Sequence, residues 1–112
     1  VAQIRDDRPR GILEAFEDGR VVGRIVYLAL DAPKPALVAV HTVVEPAHEG
    51  KGIAGALVRE LYAMAGREGV FVVPLCPYAA AWAGRHPGEA PVAPAELVEA
   101  ARAAVAAHPE LA

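Results

Sequence analysis

Val43-Val44-Glu45-Pro46-Ala47-His48-Glu49-Gly50-Lys51-Gly52-Ile53-Ala54-Gly55 is where the pattern of the chain changes. Before it, residues 37–44 form an apolar run broken only by His41 and Thr42, as in a strand covered on both faces. After it, Ile53, Leu57, Leu61 and Met64 or Ala65 recur at helical spacing, with Arg59, Glu60 and Arg67 off that face. A strand thus meets a helix through a glycine turn. The first turn of a helix offers unpaired N–H groups and the positive end of the dipole, and glycine lets an anion approach that backbone. A phosphate-bearing ligand is one reading of the turn; a plain flexible connection is the other.

Upstream, residues 12–16 suit a strand. Glu17-Asp18-Gly19-Arg20 predicts a two-residue hairpin turn, because Asp-Gly accepts the positive φ values of type I′. Residues 21–28 return, with Gly23 as a bulge or close-approach point. Residues 31–35 read as a loop, and the charged residues 1–11 as a loosely held arm. Downstream, Gly66 and Gly69 are stop signals for the helix. Residues 70–73 then suit a short buried parallel strand reached by a helical crossover. A short helix runs through Trp82 to His86-Pro87, and a Pro/Gly/Ala segment leads to a last helix over 94–107, with Pro94 in its first turn. That helix carries only a thin Leu97, Ala101, Val105 stripe and is expected to dock loosely. The predicted architecture is α/β (an α+β mixed sheet) of about four strands. Residues 37–44 lie at its centre, joined by a right-handed helical crossover, with a C-terminal helix beyond. One domain over 1–112 has its core at about 12–87 and a Pro/Ala-rich extension at 88–112.

A chain of 112 residues and 11.7 kDa has room for one core. Its single cysteine excludes a disulfide framework and a Cys-based zinc cluster, so no metal site is expected. A formal charge of −3 and a pI near 5.8 argue against nucleic acid or an anionic membrane as partner. No apolar run reaches the roughly 18 residues of a membrane span. The first residues lack the layout of a secretory signal, so a reducing, cytoplasmic compartment is the expectation.

Gly50-Lys51-Gly52-Ile53-Ala54-Gly55 also spells the dinucleotide fingerprint, which fails here on context. Pro46 and its neighbours separate the strand from the first glycine, and Pro74-Leu75-Cys76 stands where an acidic residue belongs. The preceding strands also arrive through a hairpin rather than through βα units. The run from Val43 to Ala54 instead resembles the acyl-CoA signature of the GNAT superfamily of N-acyltransferases. Gly52 and Ala54 fall on its two small positions, and Glu49 stands where Gln or Arg is usual. Further pieces are similar, in order, to the small stand-alone YidJ-type members. They are Phe16-Glu17-Asp18-Gly19, Tyr27, His41-Thr42-Val43-Val44, Leu57-Val58, Val73-Pro74-Leu75-Cys76-Pro77-Tyr78 and Arg85-His86-Pro87.

The resemblance implies acetyl-CoA as cofactor and acetyl transfer to a small-molecule or protein amine. The amides of Gly50, Lys51, Gly52, Ile53 and Ala54 would cradle the diphosphate. The strand edge at Val43 and Val44 would take the pantetheine arm as an added strand does. Glu49 removes a cation, leaving Lys51 and Arg24 to balance phosphate charge. Larger members wall the acceptor site with two helices where this chain has only the Asp18-Gly19 turn, so the acceptor side is expected to be open.

Acyl transfer to an amine needs a base, a polarised carbonyl and a proton for the leaving thiolate. His41 is the imidazole of the central strand and the candidate base, unless it is an ordinary hydrogen-bonded histidine. Thr42 faces the opposite side in a regular strand, so one of the pair meets the cleft; a bulge would change that. Cys76 could carry a transient acyl group, lie beside the thioester, or be a small buried hydrophobe. Tyr78 could protonate the leaving thiolate, as a tyrosine after this strand does in many relatives, or be a surface aromatic. A CoA-binding module with little turnover, acting as sensor or partner-recruiting domain, is the alternative function. Exposed edge strands leave a homodimer open.

Overall fold

The computed structural model describes residues 2–111; residues 1 and 112, the outer ends of the expected arm and extension, lie outside the described residues. Strands β1 (Gln3–Asp7), β2 (Ile12–Glu17), β3 (Arg20–Leu30) and β4 (Ala36–Val44) follow one another as antiparallel neighbours. After helix α1 (Ile53–Glu68), β5 (Phe71–Pro74) joins β4 in parallel. The sheet therefore has five strands rather than about four, in a mixed α/β fold.

The extra strand is β1, where charge alone suggests an arm. Its residues pair with β2 from Gln3↔Phe16 to Asp7↔Ile12. The Arg5 guanidinium lies 4.7 Å over the Phe16 ring, and the Tyr27 hydroxyl donates to the Asp6 carboxylate. Just beyond, Arg8 pairs with Glu68 at the end of α1. An edge strand has one partner and tolerates charge, which is why composition misleads here. Burial first, and Asp6 second, hold the Tyr27 hydroxyl far above its ordinary range, so it is a permanent donor to β1.

Asp18 and Gly19 have φ of 53° and 76°, the positive pair that the hairpin turn requires. Gly23 is a close-approach point: a Cβ there would lie 3.0 Å from Ile53 Cγ2 and 3.3 Å from Leu57 Cδ1. On that face α1 buries Ile53, Leu57, Val58 and Leu61 against Leu13, Ile25 and Leu37. Helix α2 (Pro77–Arg85) adds Ala79 and Trp82 to the same core.

Two placements differ from expectation. The strand expected at the centre, β4, is interior, but β3 is the middle strand, because short β5 ends the sheet. Helix α3 (Ala95–Ala106) docks firmly, not loosely: Leu97 and Ala101 are fully buried with Ala36, Val38 and Val73 on the other face of the sheet. Small alanines let the helix approach the strands closely, so a thin stripe suffices. Pro94 is its N-cap rather than part of the first turn.

The segment before α3 is tethered to α1, where Arg59 Nε lies 2.8 Å from Glu89 Oε2. The hydrogen bond from Arg59 is the main cause that lowers the Glu89 pKa below its ordinary 4.5. The tether is therefore complete above that value and is lost as pH falls below it. Cleavage between Pro87 and Ala93 by an acid-active protease should rise below about pH 4.5 in the native protein and lose this dependence in Glu89→Gln. A flat cleavage rate in the native protein would count against the tether. Among the described residues, no helix is long and apolar enough to cross a membrane.

Candidate functional site

β4 and β5 pair only from Ala36↔Phe71 to Ala39↔Pro74. Beyond that point the chains part, and the amides of Leu75 and Cys76 both donate to the Ala39 carbonyl, at 3.1 and 3.0 Å. Residues 41–44 are thus left with an edge that β5 does not cover. This splay is where the family resemblance implies a cofactor arm.

At the end of β4 a 3-10 turn (Pro46–His48) leads into the glycine loop. Gly50 and Gly52 have φ of 81° and 79°, in the left-handed region, and a Cβ built on either meets nothing within 4 Å. Backbone conformation, not crowding, demands glycine here, and the space in front of the loop is open. Gly52 caps α1, and no side chain caps the helix. Among the described residues, none of the amides at 50–54 donates to a turn, loop or side-chain acceptor. Free amides at a helix start offer donors to an anion.

Loop, strand edge and α2 enclose a cleft of about 450 Å³ whose lining includes Thr42, Val44, His48, Gly52, Ala54 and Tyr78. A bulge decides which β4 side chains reach it. Val26 pairs with His41 and Tyr27 with Ala39, so Val40 has no partner across the strands. Thr42 consequently shares the α1 face with Ala39, and its Oγ1 lies 3.3 Å from Cys76 Sγ. Cys76, 5% exposed, is the N-cap residue of α2. Tyr78, 38% exposed, lines the cleft, and a Cβ on Gly55 would sit 3.5 Å from its hydroxyl, so glycine there makes room for it.

Thr42, Cys76 and Tyr78 are therefore brought together, and His41 is not. Its side chain is exposed on the opposite face of β4, which it shares with the half-buried Val43, whose backbone remains on the uncovered edge. Arg24 pairs in register with Val43 and shares that far face. Ile53 and Glu49 line the cleft, while Lys51 Nζ turns towards Glu17 Oε1 at 3.7 Å.

His48 is the cleft residue that sequence reasoning passed over, since Pro46-Ala47-His48 reads as turn chemistry. Its Nδ1 lies 3.1 Å from Glu17 Oε1 and 3.3 Å from Lys51 Nζ. A histidine shortly before the first loop glycine was the available signal. A second cavity, about 410 Å³, lies beyond β5 among Val73, Leu75, Ala93 and Val98; it is apolar apart from Tyr62 and Arg102 and far from the loop.

Residues 13–92 match the family model described as GCN5-related N-acetyl-transferase. No curated protein matches the sequence. The solved ribosomal-protein-alanine N-acetyltransferase of Brucella melitensis biovar Abortus 2308 superposes with a TM-score of 0.57 at 29% identity, over 73% of this chain and 63% of that one. An acetyltransferase of Trypanosoma brucei gives 0.53 at 19% identity, over 70% and 62%. The aminoglycoside N-acetyltransferase AAC(6′)-Iy, solved in complex with CoA, gives 0.50 at 14% identity, over 73% and 67%. The last two are likenesses of fold alone. This chain spans less than two thirds of the first two.

Proposed function

Because its family model covers most of the chain, this protein belongs to the GCN5-related N-acetyltransferases, and on that premise we propose that it transfers an acetyl group from acetyl-CoA to an amine. Within the family we read it as a small YidJ-type member acting in the cytoplasm. The observation that carries the reading is the set of free amides at residues 50–54, opening α1 beside the uncovered edge of β4.

The residues present fit the cofactor. Two left-handed glycines with empty space before them suit a diphosphate, and a strand edge at residues 42–44 suits the amides of a pantetheine arm. When bound, acetyl-CoA supplies the activated acyl group. Thr42 lines the cleft with the buried Cys76 thiol behind it, and the exposed Tyr78 hydroxyl is the proton source for a departing thiolate. His41, on the opposite face of β4, is the base for an amine that arrives from that side. The tight Asp18-Gly19 turn leaves no helices between β2 and β3, which favours an open acceptor site for a small-molecule or protein amine. The same openness supports the second reading, a CoA-binding sensor or recruiting module with little turnover. The exposed β1 edge leaves room for a homodimer.

Two measurements separate these readings. CoA at one hundred times its dissociation constant should stabilise the fold by about 2.7 kcal/mol, a rise of roughly 10 °C in Tm for a domain of this size. Acetyl-CoA with a panel of amines should then release free thiol. A CoA shift without thiol release favours the binding module; no shift removes the cofactor from the proposal altogether.

A further inference from the structure

We propose that His48 is a side-chain ligand for the cofactor diphosphate, donating Nε2–H into the cleft while Glu17 and Lys51 hold the other side of its ring. The proposal rests on the acetyl-CoA reading above and assigns a residue that the glycine loop alone does not reveal.

The chemistry of the two partners sets the ring. An ammonium only donates and a carboxylate only accepts. Lys51 Nζ lies 3.3 Å from His48 Nδ1, and Glu17 Oε1 lies 3.1 Å from the same atom. Of the two, only the Lys51 contact has hydrogen-bond geometry; among the described residues no hydrogen bond joins the ring to Glu17. Nδ1 therefore accepts from the Lys51 ammonium, and the ring hydrogen sits on Nε2. Among the described residues this atom has no protein partner and is not sealed from solvent.

The donor has a fixed position. His48 ends the 3-10 turn that begins at Pro46, and Glu17 is held at the end of β2 by its pairing with Arg20. The ring shares the cleft with Gly50, Gly52 and Ala54, the backbone of the cradle. The other charged groups near this end of the sheet are committed, of the wrong sign or, as with Arg24, on the far face of the sheet. Lys51 is within 3.7 Å of Glu17, Arg20 is paired with Glu45, and Glu49 in the cleft lining only accepts. His48 thus supplies the side-chain donor that this loop otherwise lacks.

The test compares CoA, dephospho-CoA and pantetheine as ligands, with dissociation constants from NMR titration. His48→Leu should bind CoA and dephospho-CoA about tenfold more weakly, as expected for a lost hydrogen bond to a charged group, with pantetheine unchanged. His48→Gln, which keeps an N–H at a similar reach, should recover to within about threefold of the native protein. Glu17→Gln, which loosens the ring without removing it, should lose affinity for the same two ligands only, and it carries the test if His48→Leu fails to fold. Equal losses for pantetheine would make His48 merely structural, and a Gln variant no better than Leu would remove the donor. Loss for CoA but not dephospho-CoA would move the contact to the 3′-phosphate and overturn the assignment. A native protein that binds no CoA at all defeats the function proposed above; native affinity in the variants defeats only this inference.

Discussion

Gly52→Glu is expected to weaken CoA binding by at least a hundredfold while the protein remains folded. The two halves of that result have separate causes. Gly52 sits at φ 79° as the N-cap of α1, and a Cβ added to it meets nothing within 4 Å. Folding therefore loses only the backbone cost of a left-handed non-glycine residue, about 1–2 kcal/mol, against a domain stability of roughly 5–15 kcal/mol. Ligand binding loses far more, because the new carboxylate occupies the open space before the amides. Two unit charges 4 Å apart repel by about 4 kcal/mol at the effective dielectric of a protein surface. Gly52→Ala isolates the backbone cost and should retain most of the affinity. Calorimetric titration with CoA and a circular-dichroism melt of both variants read the two halves separately. Near-native affinity in Gly52→Glu would mean that no diphosphate lies against this loop.

What was legible in the sequence was local. The Asp18-Gly19 turn, the glycine loop and the start of α1 at Ile53 depend on backbone preferences carried by those residues themselves. Gly23 was legible as a close-approach point because a glycine inside a strand pattern signals one, although the residues it admits, Ile53 and Leu57, lie far along the chain. The misread elements depend on partners far along the chain. Gln3–Asp7 becomes a strand because Tyr27 and Phe16 give Asp6 and Arg5 something to hold, which no pattern within so short and largely polar a segment announces. Helix α3 is firm because the far face of β4 and β5 needs covering at Val38 and Val73, not because its own stripe is broad. The site divides the same way. Its loop could be read from the chain, but the choice of Thr42 over His41 as the cleft residue rests on a bulge at Val40, and the Thr42–Cys76 contact joins residues 34 positions apart. His48 acquires a role only once the hairpin brings Glu17 beside it.

Tyr78→Phe should lower kcat for acetyl transfer about a hundredfold, with KM for acetyl-CoA little changed and no loss of fold. Thr42, Cys76 and Tyr78 lie at one corner, yet they differ in access. Cys76 is 5% exposed, with its sulfur against the Thr42 hydroxyl at 3.3 Å and its amide bonded to the Ala39 carbonyl, so it is placed to pack rather than to attack. Tyr78 is 38% exposed on the first turn of α2 and points past Gly55 into the cleft, where a hydroxyl can reach a departing sulfur. That difference supports the proposed route, direct attack by the amine with Tyr78 supplying the proton to the thiolate. Removing the hydroxyl takes away an interaction made only as the thiolate leaves, which lowers kcat and kcat/KM together. A covalent route through Cys76 makes the opposite demand: acetyl-CoA without amine would leave an acetyl mass on Cys76, and Cys76→Ala would abolish turnover. Denaturing mass spectrometry after rapid quench, run beside the Tyr78→Phe kinetics, distinguishes the two. An acetylated Cys76 together with a fully active Tyr78→Phe enzyme would reverse the assignment, making the cysteine the nucleophile and the tyrosine a bystander.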